Sequence, residues 1–155
     1  MNDDPGNAGV SAPPPLIFAG ALALGFLLER TLHVGEPDNI VAKRLGTAAI
    51  AGGVLLSGVA IASFKRAGTN VSPYGPSTEF VARGVFSFTR NPMYVGATSV
   101  YIGIALRTRS IPALVLLPVA LALIDSGVVD REERYLERRF GDTYRAYRER
   151  VPRWF

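Results

Sequence analysis

Long uncharged runs dominate this chain and set its reading. Ser11 to Leu28 carries no charge, its apolar stretch proper starts near Leu16, and it ends in Glu29, Arg30 and His33. Those three side chains can carry their polar ends to a membrane interface. Leu45 to Phe64 is a second run of 20 residues without charge, the length a helix needs to cross a hydrocarbon core of roughly 30 Å. Asn91–Leu106 and Ser110–Ile124 are shorter uncharged runs that meet at a turn over Arg107, Thr108, Arg109 and Ser110. They predict a helical hairpin, its second arm started or kinked by Pro112 and Pro118. No alternating strand pattern of useful length appears. The expected fold is therefore all-α, an integral membrane helical bundle with four membrane segments.

The intervening stretches are polar. A loop with Glu36, Pro37 and Asp38 is followed by Lys43 and Arg44, which mark the next boundary. Lys65 to Arg90 contains Gly68, Pro73, Gly75, Pro76 and Gly84, and a connection that long is commonly functional or disordered. From Asp130 the chain is densely charged, yet Leu136, Phe140, Tyr144, Tyr147 and Val151 keep one face apolar at helical spacing. This predicts an amphipathic C-terminal helical tail, in two pieces, because Gly141 ends one helix and Asp142 and Thr143 suit the cap of the next. A single domain over 1–155 is expected: a mobile N-tail over 1–15, membrane helices over 16–129 and a cytoplasmic tail over 130–155. The N-tail carries Asp3 and Asp4 but no cation, so it does not read as a signal peptide. Within the second run Ala49, Gly53 and Ser57 recur every four residues, a stripe that lets another helix come close.

Charge adds an orientation. The formal charge of +4 comes from 17 Lys and Arg against 13 acids, and eight of the cations lie in the last 26 residues. Beside apolar spans such a tail is drawn to anionic head groups, at about 1 kcal/mol per cation. Nucleic acid is not an expected partner, since no soluble fold is left to present the patch. With four spans, the N-tail, the middle loop and the C-tail share a side that holds twelve cations, against five opposite. Both termini are then cytoplasmic in a multi-pass protein of the inner membrane. Cysteine is absent and His33 is the only histidine, which excludes disulfides, thiol nucleophiles and a His-paired metal centre. No nucleophile elbow, phosphate loop or dinucleotide fingerprint occurs.

Two polar clusters at helix mouths remain. Arg90-Asn91-Pro92-Met93-Tyr94-Val95-Gly96 opens the third segment; Pro92 suits a first helical turn, and free N–H groups there can hold a carboxylate. Asp130-Arg131-Glu132-Glu133 stands where the fourth segment ends. Glu132 lies one helical turn before Leu136, on the apolar stripe, where a carboxylate must be paired. Arg90, Arg131 or the tail arginines would serve as structural partners, and a cationic ligand group as a functional one.

These clusters, with Leu136, Phe140-Gly141, Tyr144, Tyr147 and Val151-Pro152-Arg153, resemble the isoprenylcysteine carboxyl methyltransferase and phospholipid methyltransferase superfamily of integral membrane enzymes. Phe64, Gly68-Thr69 and Pro73 are similar to a small bacterial branch of it. The resemblance covers roughly Phe64 to Arg153, and the first two helices share only hydrophobicity. It implies an S-adenosylmethionine pocket between the last membrane helices and the tail, with the acceptor arriving from the bilayer. By position Arg90, Asn91 and Tyr94 would border the cofactor, Glu132 or Glu133 would meet its ammonium group, and Tyr147 and Arg153 would help close the lid. The isoprenylcysteine enzymes usually carry His where this chain has Asn91, whereas Asn-Pro-Met-Tyr is similar to the phosphatidylethanolamine methyltransferases. Asparagine is no general base, so the catalytic group stays unassigned. A prenylated carboxylate, a phospholipid amine and a small thiol or other apolar acceptor all stay open. The competing reading is a non-catalytic membrane helix bundle that scaffolds a partner.

Overall fold

The computed structural model of the chain describes residues 13–32, 39–69 and 79–154. Along them run α1 (Pro14–Leu32), α2 (Ile40–Arg66), a 3₁₀ turn (Gly84–Ser87), α3 (Pro92–Thr108), α4 (Ile111–Ile124), a π-helical turn (Asp125–Val129), α5 (Asp130–Phe140) and α6 (Asp142–Arg150). No strand occurs among the described residues, and the expected all-α class holds. The 1–12 part of the N-tail, the loop of His33, Glu36, Pro37 and Asp38, and Pro73, Gly75 and Pro76 lie outside the described residues. Pro14 and Pro15, assigned above to the tail, already belong to α1.

Among the described residues, three helices are long and apolar enough to cross a membrane: Pro14–Leu32, Ile40–Arg66 and Ile111–Phe140. The last departs from expectation, because the fourth uncharged run and the first tail helix are one continuous rod. The backbone stays helical at Asp125 (φ −59°, ψ −53°) and Asp130 (φ −59°, ψ −33°), with the π turn between them. Such a turn widens the helix locally without ending it. The break comes at Gly141, whose φ of +53° is cheap only for glycine. The cap expected from Asp142 or Thr143 does not form; Asp142 instead accepts from Arg145 Nε at 3.1 Å. At the hairpin Arg109 takes a left-handed conformation (φ 59°), and Ser110 caps α4 by accepting from the Ala113 amide at 3.4 Å. Pro112 sits in the first turn and Pro118 inside the helix.

The closest packing in the bundle joins α2 to α3, while α1 packs mainly on α4. The glycines explain why. A Cβ on Gly46 would lie 2.6 Å from the Gly103 carbonyl oxygen, and one on Gly103 would lie 2.5 Å from that of Gly46. Gly53 and Gly96 oppose each other in the same way, with Ser57 against Gly96. Ser99 Oγ donates to the Ala49 carbonyl at 3.0 Å. The stripe of Ala49, Gly53 and Ser57 is thus the α2 half of this contact, which brings backbones close enough for dispersion to hold them without large side chains. Phe18 of α1 meets Tyr101 of α3 at 5.9 Å between ring centroids. Outward-facing Leu24, Leu27, Leu55, Val115 and Leu123 are exposed, an apolar surface suited to lipid.

Neighbouring glycines of α2 give a direct test. Gly53→Ala is expected to destabilise by about 1–3 kcal/mol through overpacking, whereas Gly52→Ala, with nothing within 4 Å of its added Cβ, should leave stability unchanged or slightly raised. Thermal midpoints in detergent measure both, and equal midpoints would refute the close α2–α3 contact.

Candidate active site at the head of the helix bundle

The N-terminal half of α1, the C-terminal part of α2, α3, α5 and α6 meet around a cavity of about 620 Å³. That falls within the roughly 300–1,000 Å³ usual for small-molecule sites. Its deeper wall is apolar, with Phe18, Leu22, Ala97, Val100 and Ile104; its mouth holds Arg90, Asn91, Tyr94, Glu132, Glu133 and Tyr144. Polar groups thus gather at one end of an otherwise greasy chamber.

Continuity of α4 into α5 puts the two adjacent carboxylates at this mouth, and they differ sharply in partners. Glu133, nearly fully buried, lies 3.0 Å from Arg90 Nη1. It also accepts from Arg153 Nε at 3.2 Å and Nη2 at 2.7 Å. This two-pronged pair is the strong form of a charged hydrogen bond. Glu132 instead accepts from the Tyr94 hydroxyl at 2.8 Å, and among the described residues it has no ion-pair partner. The arginine pairing foreseen for Glu132 is therefore made by its neighbour Glu133 instead.

Arg153 works behind the cavity and does not line it. Besides Glu133 it pairs with Asp125 at 3.2 Å and Asp130 at 2.9 Å. The bond to Glu133, first, and then the surrounding acids hold its guanidinium firmly charged. Its carbonyl accepts from Thr89 Oγ1 at 2.9 Å and Asn91 Nδ2 at 3.1 Å, and the Arg90 amide donates to the Pro152 carbonyl at 3.0 Å. Asn91 thereby spends its side-chain amide on the C-terminal strap. Its side chain does not cap α3.

The roof is aromatic. Phe80 meets Phe140 at a tilt and Tyr144 and Tyr147 edge-on, with centroids 5.5, 5.8 and 5.1 Å away, and the Tyr147 hydroxyl donates to the Phe86 carbonyl at 2.6 Å. This fastens α6 to the segment before α3. Burial, and then the Glu133 charge, push the Tyr144 phenol up to about 12, while burial raises Tyr147 as well. Both stay neutral in the working range of a cell. Arg90 Nε and Nη1 are both buried without a hydrogen bond, and Nη1 keeps only its 3.0 Å ion pair to Glu133.

Of the residues singled out from sequence, Arg90, Asn91, Tyr94, Glu132, Glu133 and Tyr147 line one cavity, and Arg153 stands outside it as the clamp on Glu133. Sequence reasoning missed the α1 contribution of Pro14, Phe18 and Leu22, and it missed Phe80. Hydrophobicity along α1 marks a span and says nothing about which residues wall a chamber.

An all-helical fold with three apolar helices long enough to span a bilayer among the described residues, and a half-open cavity charged at one end and apolar behind, points to a membrane protein. Residues 41–143 match the phospholipid methyltransferase family, and the chain belongs to it. Over 79 residues, 51% of this chain and 37% of the relative, it is 34% identical to the nickel-cobalt-cadmium resistance protein NccN of Alcaligenes xylosoxydans xylosoxydans. Over 36 residues, 23% of this chain and 57% of the relative, it is 44% identical to an uncharacterized protein of Haemophilus influenzae. The aligned segments thus span less than two thirds of either relative's length. No solved structure matches the chain.

The strap and the roof yield two tests. Arg153→Ala should cost about 1.5–3 kcal/mol, since Glu133 keeps Arg90, and should expose the C-terminal residues to carboxypeptidase; an unchanged digestion rate would dismiss the clamp. An unfolded tyrosine loses its proton near pH 10, while the buried Tyr144 holds its proton to about 12. Stability is therefore complete below pH 10 and falls as pH rises from there towards 12. Tyr144→Phe should flatten that slope in thermal midpoints taken across the range.

Proposed function

We propose that this protein transfers a methyl group from S-adenosylmethionine to a lipophilic or membrane-borne acceptor, an isoprenylcysteine-type carboxylate or a phospholipid amine. Family membership supports membrane methyltransferase chemistry in general. The observation that carries the finer reading is the carboxylate of Glu132. It borders the cavity and is held by a neutral hydroxyl, while its neighbour Glu133 is matched by two guanidinium groups. A carboxylate in that position lacks the counter-charge its burial requires, and the ammonium of an amino-acid ligand would supply it.

The donor set fits the cofactor. Arg90 offers its Nε, which lacks a hydrogen-bond partner, to a ligand carboxylate, Glu132 offers a counter-charge to an ammonium group, and Tyr94 and Tyr144 offer ring faces to a sulfonium. When bound, the sulfonium supplies an intrinsically reactive methyl group. The chain's own part is then to align donor and acceptor and to keep water out. The apolar wall from Phe18 to Ile104 suits the acceptor's hydrocarbon part, and Tyr147 and Phe80 roof the polar end. A carboxylate acceptor attacks without losing a proton; an ammonium acceptor must lose one first, and Glu132 and Tyr94, joined by their hydrogen bond, are the groups at hand.

We read α3, 17 residues long and held along α2, as a fourth membrane segment, with both termini on the cytoplasmic side of the inner membrane. Reporter tags on either end, probed for accessibility, check that orientation.

Calorimetry of S-adenosylmethionine, or its demethylated product, with detergent-purified protein tests the central reading. Wild type should bind in the micromolar range, and Glu132→Gln at least about tenfold more weakly, the loss of one charged contact. Absence of binding by folded wild type would reject the enzyme reading in favour of a scaffold.

A further inference from the structure

Every large hydrophobic side chain that stands exposed among the described residues lies on α1, α2 or α4, with one exception. Phe88 is 75% exposed and belongs to no apolar span; it directly follows the 3₁₀ turn over Gly84–Ser87. Contacts fix its level in the molecule. The turn packs on α2, and Phe86 meets Phe64 edge-on at 4.9 Å between ring centroids. Phe64 closes the uncharged run of α2, and Lys65 and Arg66 come next. Cations directly after an apolar run mark the head-group level of a leaflet, so the turn stands at that level. Lys65, Arg66 and Arg83, the residue before the turn, are exposed and form no ion pair among the described residues.

We propose that Phe88, with Lys65, Arg66 and Arg83 at the same level, docks the 79–91 segment onto an anionic lipid leaflet. The ring sits below the head groups and the cations lie among the phosphates. Bulk water offers an apolar ring no favourable contact. The boundary between head groups and acyl chains takes the ring, beside a negative surface that draws the cations. The placement matters because the neighbours of Phe88 are the fastening points of the site. Two positions before it the Phe86 carbonyl accepts from Tyr147, and one position after it Thr89 donates to the Arg153 carbonyl. Docking Phe88 therefore pins the aromatic roof and the strap to the membrane surface together, and keeps the charged mouth of the cavity at the head groups.

The chain has no cysteine, so Ser87→Cys takes a single nitroxide label beside Phe88. The full chain is reconstituted in vesicles of phosphatidylcholine with a minority of phosphatidylglycerol. Collisions of the label with oxygen, which concentrates in lipid, are compared with collisions with a water-soluble nickel chelate. Labels at Leu55→Cys and Glu149→Cys, both exposed positions, give the lipid and water references. The label at 87 should meet the chelate several-fold less often than the label at 149. Phe88→Ser should raise that rate several-fold; the ring is largely exposed, so its removal disturbs little internal packing, which circular dichroism checks. Omitting phosphatidylglycerol should also raise it, and exchange of Lys65, Arg66 and Arg83 together for Gln should abolish that lipid dependence. A label at 87 as open to the chelate as the one at 149 would overturn the proposal. So would a rate unmoved by Phe88→Ser or indifferent to phosphatidylglycerol. A label shielded from oxygen and chelate alike would overturn it too, and would point to a protein partner on this surface. None of these readouts depends on methyl transfer, so the result stands apart from the fate of the enzyme reading.

Discussion

Glu133 sits at the head of an apolar bundle, where a lone carboxylate would cost several kcal/mol to bury, and the clamp that relieves this cost organises everything near it. Arg153 approaches from the C-terminal strap and Arg90 from the start of α3. Because both converge on one side chain, the strap is drawn against the start of α3 behind the cavity, and its backbone is then secured by Thr89 and Asn91. Arg153, with Asp125 and Asp130 also in reach, ties the π turn to the same point. Neutralising one carboxylate so thoroughly leaves the adjacent one to face the chamber.

This division of labour rests on two backbone choices further away. The glycine contact between α2 and α3 fixes where α3 begins, hence where Arg90, Asn91 and Tyr94 stand. The π turn carries α4 into α5 without a break, so the acids emerge on a rigid helix and not on a loop. A site held on rigid elements keeps its geometry, whereas loops at a membrane surface would spread it. The cavity then combines an ionic end, set by the helix mouths, with an apolar wall provided by α1 and α3. In the methyl transfer proposed above, such a chamber would hold a polar donor and a greasy acceptor together.

The main elements were legible in the chain because membrane helices advertise themselves through length and the absence of charge. The uncharged runs located α1, α2, α3 and α4, and Gly141 marked the break between the tail helices. The site residues were legible in part, since Arg90, Asn91, Tyr94, Glu132 and Glu133 are polar groups at helix mouths, where a charge has to be explained. What the sequence could not assign was partnership. Glu132 and Glu133 are adjacent acids of one type, and only their directions from the helix separate a clamped carboxylate from an available one. Arg153 read as part of a lid, yet its placement outside the cavity makes it the residue that anchors the strap to Glu133.

By itself the sequence determined the helical class, the apolar spans, the lack of thiol chemistry and the gathering of charge at one end, because these follow from composition and periodicity along a line. The tertiary structure decided which small residues meet, since Gly46 finds Gly103 and Gly53 finds Gly96 across a long connection. It also decided that the fourth run continues into the tail, that Phe18 and Phe80 wall and roof the chamber, and that Glu133 is matched while Glu132 faces the cavity. Those outcomes depend on distances between residues remote in the chain, which burial and charge pairing select only once the helices have packed.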